Sequence, residues 1–148
     1  IAFALCMDAK VSALTILAVL DQERDSLVQD LRDKTGAAAS GFPLTPETLA
    51  RHIPEAQTMI HCTPVGMSPK VDESCVPAAL LSSHMTVMDI VYNPLDTRLL
   101  KDARHAGCRT VRGLEMFLHQ AIGQFELWTL QPAPAGVMRS VLERHFST

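Results

Sequence analysis

Residues 108–121 read Cys-Arg-Thr-Val-Arg-Gly-Leu-Glu-Met-Phe-Leu-His-Gln-Ala, and this stretch indicates the fold more clearly than any other. Residues 108–111 predict a short strand, and the apolar spacing from Leu114 to about Leu130 predicts a helix. Gln120 follows Gly113 by two helical turns, so that a backbone group and a side-chain amide could address the same ligand. The alternative is a buried amphipathic helix in which Gly113 is simply a loop residue.

The rest of the chain alternates short apolar runs with helical patterns. Further strands are predicted at residues 13–17, 58–63 and 86–92. Helices are predicted at residues 1–9, 21–34, 77–81, 97–106 and 134–146, and residues 45–48 open another short helix; Asp21 and Thr45 are the predicted N-caps and Gly36 a predicted stop. Strands and helices that alternate through short links predict an α/β fold with a parallel sheet between two helical layers.

In such sheets, ligands bind at the carboxyl ends of the strands. Three loops occupy this position: the one after Leu17, residues 63–69 and residues 92–96. Gly113 follows the last strand at the same edge. We therefore expect these segments to gather on one rim of a single domain.

Composition excludes several classes of protein. With 148 residues and 47% hydrophobic content, the chain can form one domain with a core. A net charge of −3 does not indicate a surface that binds nucleic acid or an anionic membrane. No apolar run approaches the roughly 20 residues that a membrane span needs, and no signal peptide is recognised, so a soluble cytoplasmic protein is predicted.

The cysteines and histidines favour no metal site. None of the four cysteines forms a C-x-x-C pair, so we expect reduced, buried thiols in a cytoplasmic protein. His105 and Cys108 lie three residues apart but lack a second pair, and no metal ligand is assigned. The cysteines are Cys6, Cys62, Cys75 and Cys108.

Four motifs occur in the order found in shikimate dehydrogenases: CTPVGMSP at 62–69, DIVYNPLDT at 89–97, GLEMFLHQA at 113–121, and FELWT at 125–129 with PAP at 132–134. Over nearly its whole length the chain resembles the C-terminal, NADP-binding domain of that family. The resemblance implies a Rossmann-like three-layer αβα fold. It also implies NADP-dependent, reversible reduction of 3-dehydroshikimate to shikimate in aromatic amino acid biosynthesis.

The resemblance also implies roles for single residues. Tyr92 would contact the substrate from the cofactor side, and Gln120 would hydrogen-bond a substrate hydroxyl. Gly113 would place its backbone against the nicotinamide end of the cofactor, where a side chain would intrude. The backbone of Ile90 would line the nicotinamide pocket, and Thr63 would flank the ribose and phosphates.

The family's first strand and glycine-rich phosphate loop would lie immediately before Ile1, so we expect an N-terminally truncated fragment. Its sheet would lack the central strand, which predicts association into a homodimer, strand swapping or low stability. The family's catalytic Lys and Asp belong to an N-terminal substrate domain. We therefore assign no catalytic residue and expect the fragment alone to be inactive.

A second departure concerns the cofactor. Ala18-Val19-Leu20 stands where the family usually carries Asn-Arg-Thr/Ser, and the apolar Val19 cannot pair with the adenosine 2′-phosphate. Asp21 could accept a hydrogen bond from a ribose 2′-hydroxyl, as in NAD-binding sheets, or act as a helix N-cap. Smaller departures are His61, where Asn is common, and Arg112, where a small or acidic residue is usual.

Three interpretations stay open. The first is the cofactor-binding part of an NADP-dependent shikimate dehydrogenase. The second is a degenerate, non-catalytic remnant that acts as a binding module, and the third is an NAD-preferring quinate or shikimate dehydrogenase.

Overall fold

The structure, a computed structural model, describes residues 1–9 and 11–146. The chain divides into two compact units, Ile1–Glu55 and Ala56–Thr148. The described residues form five strands in two sheets, one in each unit, and all pairs of strands are parallel, the orientation that was predicted. Within the described ranges, no helix is long and apolar enough to cross a membrane.

The first unit consists of α1 (Ala2–Met7), β1 (Leu14–Ala18), α2 (Asp21–Thr35), β2 (Ala39–Pro43) and α3 (Pro46–His52). Strands β1 and β2 pair in parallel, with Leu14 opposite Ala39. Val28 and Leu31 of α2 are buried against Ala39, as their helical spacing predicts.

Strand β2 is absent from the sequence prediction. Its residues, Ala-Ser-Gly-Phe-Pro, include no β-branched side chain, so propensity gives no signal for a strand. Pairing with β1 and close packing by α2 stabilise it instead. A Cβ on Gly41 would lie 3.0 Å from side-chain carbons of Arg24 and Val28, so glycine lets the helix approach the strand.

The ends of α2 confirm one prediction and correct another. Gly36 ends the helix with φ +68°, in the left-handed region, as predicted. Asp21 is not the N-cap: Leu20 occupies that position without a side-chain hydrogen bond, and Asp21 is the first helical residue. Its carboxylate instead forms an ion pair with Arg24 at 2.5 Å. In α3, Thr45 caps the helix, as predicted.

The second unit contains β3 (Thr58–His61), a 3₁₀ turn (Ala78–Leu80), β4 (Thr86–Asp89), α4 (Arg98–His105), β5 (Arg109–Val111), α5 (Gly113–Thr129) and α6 (Ala135–Phe146). The strand order is β3-β4-β5. In the register of β3 and β4, His61 stands directly opposite Asp89. The core is formed by Met85, Val87, Leu99, Leu100 and Leu118, which are at most 2% exposed.

Strands β3 and β4 end earlier than predicted, at His61 and Asp89 instead of residues 63 and 92. After each strand, a side-chain oxygen accepts a hydrogen bond from a backbone amide of the following loop. The Asp89 carboxylate accepts from Val91 N at 3.0 Å, and the Thr63 hydroxyl accepts from Val65 N at 3.2 Å. These local bonds compete with the β-ladder and turn the chain into the following loop.

Helices α5 and α6 are joined by an ion pair with two hydrogen bonds. Arg139 donates to both carboxylate oxygens of Glu115 at 2.7 and 2.8 Å, and this contact lowers the pKa of Glu115. The end of α5 carries exposed apolar side chains, among them Trp128, the sole tryptophan, which is 76% exposed.

The four cysteines are free, but they are not uniformly buried as predicted. Cys108 is buried, Cys6 and Cys75 are half-buried, and Cys62 is exposed. Cys62 is exposed because β3 ends one residue earlier, which leaves this residue at the mouth of a loop and not in the strand.

Candidate functional site

A cleft of about 420 Å³ opens at the carboxyl ends of β3 and β4. Parallel strands bring the two following loops to the same edge, which is the position predicted for ligand binding. Ser68 N donates to Asn93 O at 3.0 Å and so ties the loops together. The lining residues are Cys62, Thr63, Pro64, Met67, Ser68, Ile90, Val91, Tyr92 and Asn93.

Gly113, the first residue of α5, packs directly behind this cleft. A Cβ at this position would lie 2.3 Å from Ile90 O and 2.6 Å from Val91 O. Both atoms belong to the backbone and cannot move aside as a flexible side chain would. Glycine is therefore required for α5 to start against the wall of the cleft.

Tyr92 connects the cleft to the middle of α5. Its ring stacks on Phe117, with centroids 4.9 Å apart and planes at 19°, and meets the edge of Phe146 at 5.2 Å. Gln120 is exposed and follows Phe117 by three residues, so both side chains lie on the same helical face. The amide is therefore on the side of α5 that faces Tyr92.

A buried carboxylate organises the end of β4. Asp89, which is fully buried, accepts hydrogen bonds from His61 Nδ1 at 3.0 Å, Val91 N at 3.0 Å and Thr97 Oγ1 at 2.7 Å. Thr97 is also the N-cap of α4. Asp89 thus joins β3, its own loop and the start of α4, and a carboxylate with three donors is a stable buried anion.

His61 lies between this carboxylate and the cleft. It is 5% exposed, and its Nε2 lies 2.5 Å from the Oγ1 of Thr63. Burial by itself lowers the pKa of His61, but hydrogen bonding to Asp89 and the proximity of Cys75 outweigh it and raise the pKa to about 9. A pKa in this range favours an imidazolium at neutral pH, opposite the carboxylate of Asp89.

A second cleft, of about 490 Å³, is lined by Arg104, residues 109–112 and Glu115. It contains none of the predicted site residues. Arg104 and Arg112 both form ion pairs with Asp96, at 3.1 and 3.0 Å. Arg112, a departure from the family pattern, therefore anchors the loop that follows Tyr92 to the first turn of α5.

The structure brings together most of the predicted site residues. Thr63, Ile90 and Tyr92 line the cleft, and Gly113 contacts its wall through Ile90. Gln120 is outside the lining, on α5. Their ligand roles stay predictions.

Asp21 belongs to the first unit, where its side chain is 73% exposed. Val19 beside it is 76% exposed and Leu20 57%. This loop offers a carboxylate and apolar side chains for contact with a ligand. A role for Asp21 in ribose binding, and the place of this loop on the predicted rim, stay predictions.

Sequence reasoning missed Asp89 and Thr97 and noted His61 only as a departure. A charged residue inside the apolar run T-V-M-D-I-V-Y was the available signal for Asp89, since an isolated buried carboxylate requires partners. The identity of those partners depends on strand register.

The chemistry of the cleft suits an organic cofactor. Its volume falls within the usual range for small-molecule sites, and apolar walls surround a few polar groups, among them the hydroxyls of Thr63 and Ser68. In the described ranges, no three His, Cys, Asp or Glu side chains are grouped so that they could hold a metal ion.

Comparison with known proteins agrees with the predicted resemblance. The family model of the shikimate 5′-dehydrogenase C-terminal domain matches residues 113–143. The NADP(+)-dependent shikimate dehydrogenase of Dehalococcoides mccartyi is 36% identical over 130 residues, which cover 88% of this chain and 46% of that protein. The chain therefore spans about half the length of the curated relatives it matches.

Solved structures show the same likeness. Shikimate 5-dehydrogenase from Listeria monocytogenes, in complex with shikimate and NAD, is 33% identical with a TM-score of 0.84, covering 94% of this chain and 51% of that one. Quinate dehydrogenase from Corynebacterium glutamicum, in complex with NAD, is 28% identical with a TM-score of 0.86, covering 94% and 48%. These matches confirm the Rossmann-like α/β fold.

Proposed function

Since the chain belongs to the shikimate dehydrogenase family, we propose that it is the nicotinamide-cofactor-binding part of an NADP-dependent oxidoreductase. The reaction proposed for the whole enzyme is the reversible reduction of 3-dehydroshikimate to shikimate, in aromatic amino acid biosynthesis. The observation that carries this proposal is the contact of Gly113 with the backbone of Ile90, behind a cleft of cofactor size. The resemblance predicts that the Gly113 backbone lies against the nicotinamide, and its place directly behind the cleft wall supports that role.

Each site residue has a role that its position supports. Ile90, with Gly113 packed behind it, forms the wall against which the nicotinamide would lie, and Thr63 offers a hydroxyl to the ribose and phosphates. Tyr92 is held by its stack on Phe117, so its phenol is oriented before substrate arrives. The bound cofactor supplies the hydride, whereas these residues bind, orient and exclude water.

The substrate would meet the cofactor beside Tyr92 and Gln120. An exposed amide can both donate to and accept from the hydroxyls of a small polyol acid. Tyr92 is 36% exposed, so part of this residue is free for contact. We propose these two residues as substrate-binding and assign no catalytic acid or base within the chain.

A pair of variants tests this division of roles in the natural polypeptide that carries this sequence. Gly113→Val should weaken NADP binding, because its side chain displaces the cleft wall. Gln120→Ala should mainly raise the KM for 3-dehydroshikimate, with cofactor affinity unchanged. Equal loss of cofactor affinity in both variants would contradict the assignment.

We propose NADP as the cofactor because the curated relatives are named for it. The exposed, apolar Val19 favours the alternative of an NAD-preferring quinate or shikimate dehydrogenase, as does the similarity to a quinate dehydrogenase solved with NAD. In that case Asp21 would accept from the ribose 2′-hydroxyl. Calorimetric titration with NADP and with NAD decides between the two.

A degenerate, non-catalytic binding module is the second candidate function, and it too is favoured by the apolar Val19 in place of the expected phosphate clamp. It predicts that neither dinucleotide binds at millimolar concentration. Binding of either one, with competition by the other, would reject it.

We further propose that residues 1–148 form one cofactor-binding domain of a cytoplasmic protein with no nucleic-acid partner. The match to the Dehalococcoides relative extends over 130 residues, the net charge is −3 and the described cysteines are free. Two urea transitions in place of one would contradict a single domain.

We also propose a homodimer, since the β1–β2 sheet has only two strands, and such sheets are marginal without further pairing. Sedimentation at several protein concentrations tests this. A monomer throughout would contradict it.

A further inference from the structure

The hydroxyl oxygen of Thr63 has two nitrogen atoms within hydrogen-bonding distance. Val65 N, at 3.2 Å, can only donate to it. His61 Nε2, at 2.5 Å, donates if it carries a proton and accepts if it does not. The direction of the Thr63 hydrogen therefore depends on the protonation of one ring nitrogen.

The other ring nitrogen of His61 has no such freedom. Its partner, the Asp89 carboxylate, already accepts from Val91 N and Thr97 Oγ1 and has no hydrogen to give. Nδ1 must therefore carry a proton. Two states remain: an imidazolium that donates from both nitrogens, or a neutral ring whose Nε2 accepts from Thr63.

The surroundings of His61 favour the imidazolium. Asp89, which is fully buried, faces it from β4, and Cys75 faces it from the segment after β3. Cys62, the next residue in the chain, is exposed at the cleft. A buried anion opposite a nearly buried ring is stabilised by a charged partner.

From this geometry we propose that His61 is a positioning residue: its Nε2–H donates to Thr63 Oγ1 and turns the Thr63 hydrogen into the cleft, toward an acceptor oxygen of the bound nicotinamide cofactor. This inference rests on the proposed function, because it names what the cofactor must present at Thr63. The acceptor belongs to the ribose or phosphate groups. When His61 loses its proton, the hydroxyl turns back to the ring and offers the cleft only a lone pair.

The protonation state can be measured without any ligand. In the ¹⁵N-histidine-labelled chain, with the His61 signals assigned by their loss in His61→Asn, both ring nitrogens should be protonated at about pH 7. The titration midpoint should lie near 9, the value to which the pKa of this ring is raised. An unprotonated Nε2 at pH 7 overturns the inference.

The functional consequence is a pH profile of NADP⁺ affinity, measured by calorimetry between about pH 7 and pH 10. Affinity should fall roughly fivefold in total as His61 titrates, which corresponds to one hydrogen bond. His61→Asn should give a flat profile, because an amide does not titrate in this range. Thr63→Val should be flat and about fivefold weaker already at pH 7, whereas Thr63→Ser should behave like the wild type.

One control isolates the effect. His84→Asn removes an exposed histidine of the same unit, which bonds to Ser82 and not to the network, and should keep the wild-type profile. Binding with a flat wild-type profile overturns this inference but leaves the proposed function standing, whereas absence of NADP⁺ binding at every pH overturns both.

Discussion

Gly113→Ala and Gly123→Ala place the same methyl group at two positions of one helix, α5. At Gly113 the new Cβ would lie 2.3 Å from Ile90 O, 2.5 Å from Ile90 C and 2.6 Å from Val91 O. At Gly123 no atom outside the local helix lies within 4 Å. The two substitutions therefore share their effect on helix propensity and differ in packing.

The magnitudes follow from that difference. Replacing a helical glycine with alanine stabilises by up to about 1 kcal/mol, which is the expected result for Gly123→Ala. At Gly113 the backbone of Ile90 must move by more than half an ångström to restore a normal contact, and such overpacking costs about 1–3 kcal/mol. Because the gain in helix propensity is common to both, the two variants should differ by about 1–3 kcal/mol in their free energy of unfolding.

Urea denaturation followed by circular dichroism is the appropriate assay, because Trp128 is already exposed in the folded chain and its fluorescence would change little. Cofactor affinity should also fall in Gly113→Ala, since the displaced wall lines the cleft, and should be unchanged in Gly123→Ala. If Gly113→Ala were as stable as Gly123→Ala, the close packing of α5 behind the cleft would be refuted.

Three further results are expected. The free energy of unfolding should fall by about 3 kcal/mol as pH rises from 6 through 9, because a pKa raised from 6.5 to about 9 stabilises the fold only while His61 is protonated. Urea denaturation at each pH should show this fall in the wild type and not in His61→Asn. Asp89→Asn should lower the free energy of unfolding by about 3 kcal/mol or more, because it leaves the imidazolium unpaired. Thr97→Val removes one donor to Asp89 and should cost about 1–3 kcal/mol; thermal unfolding measures both. Val19→Arg should raise affinity for NADP over NAD in competition titrations, and an unchanged ratio would remove the assignment of this loop to the adenosine phosphate.

The fold class could be predicted because strands and helices alternate along the chain and several helices have clear ends. Gly36, Thr45 and Thr97 mark helix boundaries through local chemistry that sequence shows directly. Strand β2 could not be predicted, since its pairing with β1 and its contact with α2 through Gly41 are tertiary. The predicted ends of β3 and β4 lay too far along the chain, because the apolar runs in the sequence continue past the observed ends.

For the candidate site as well, local motifs could be recognised from the sequence and tertiary contacts could not. Thr63, Ile90, Tyr92 and Gly113 could be named from motifs, and the structure places them around one cleft or against its wall. The contact between His61 and Asp89 could not be predicted from motifs, because it requires that residues 28 apart in sequence stand opposite each other in two strands. Sequence reveals that a carboxylate is buried but not which donors meet it.

The loop that ends at α4 is on the surface, yet it is anchored along its length. Val91 N and Thr97 Oγ1 bind the same carboxylate, and Asp96 is held by Arg112 from the start of α5. Fixing a mobile side chain on binding costs about 0.5–1.5 kcal/mol, and this wall has already been ordered by folding. A ligand that enters the cleft should therefore lose little conformational entropy at this wall, and its association should not have to wait for loop closure.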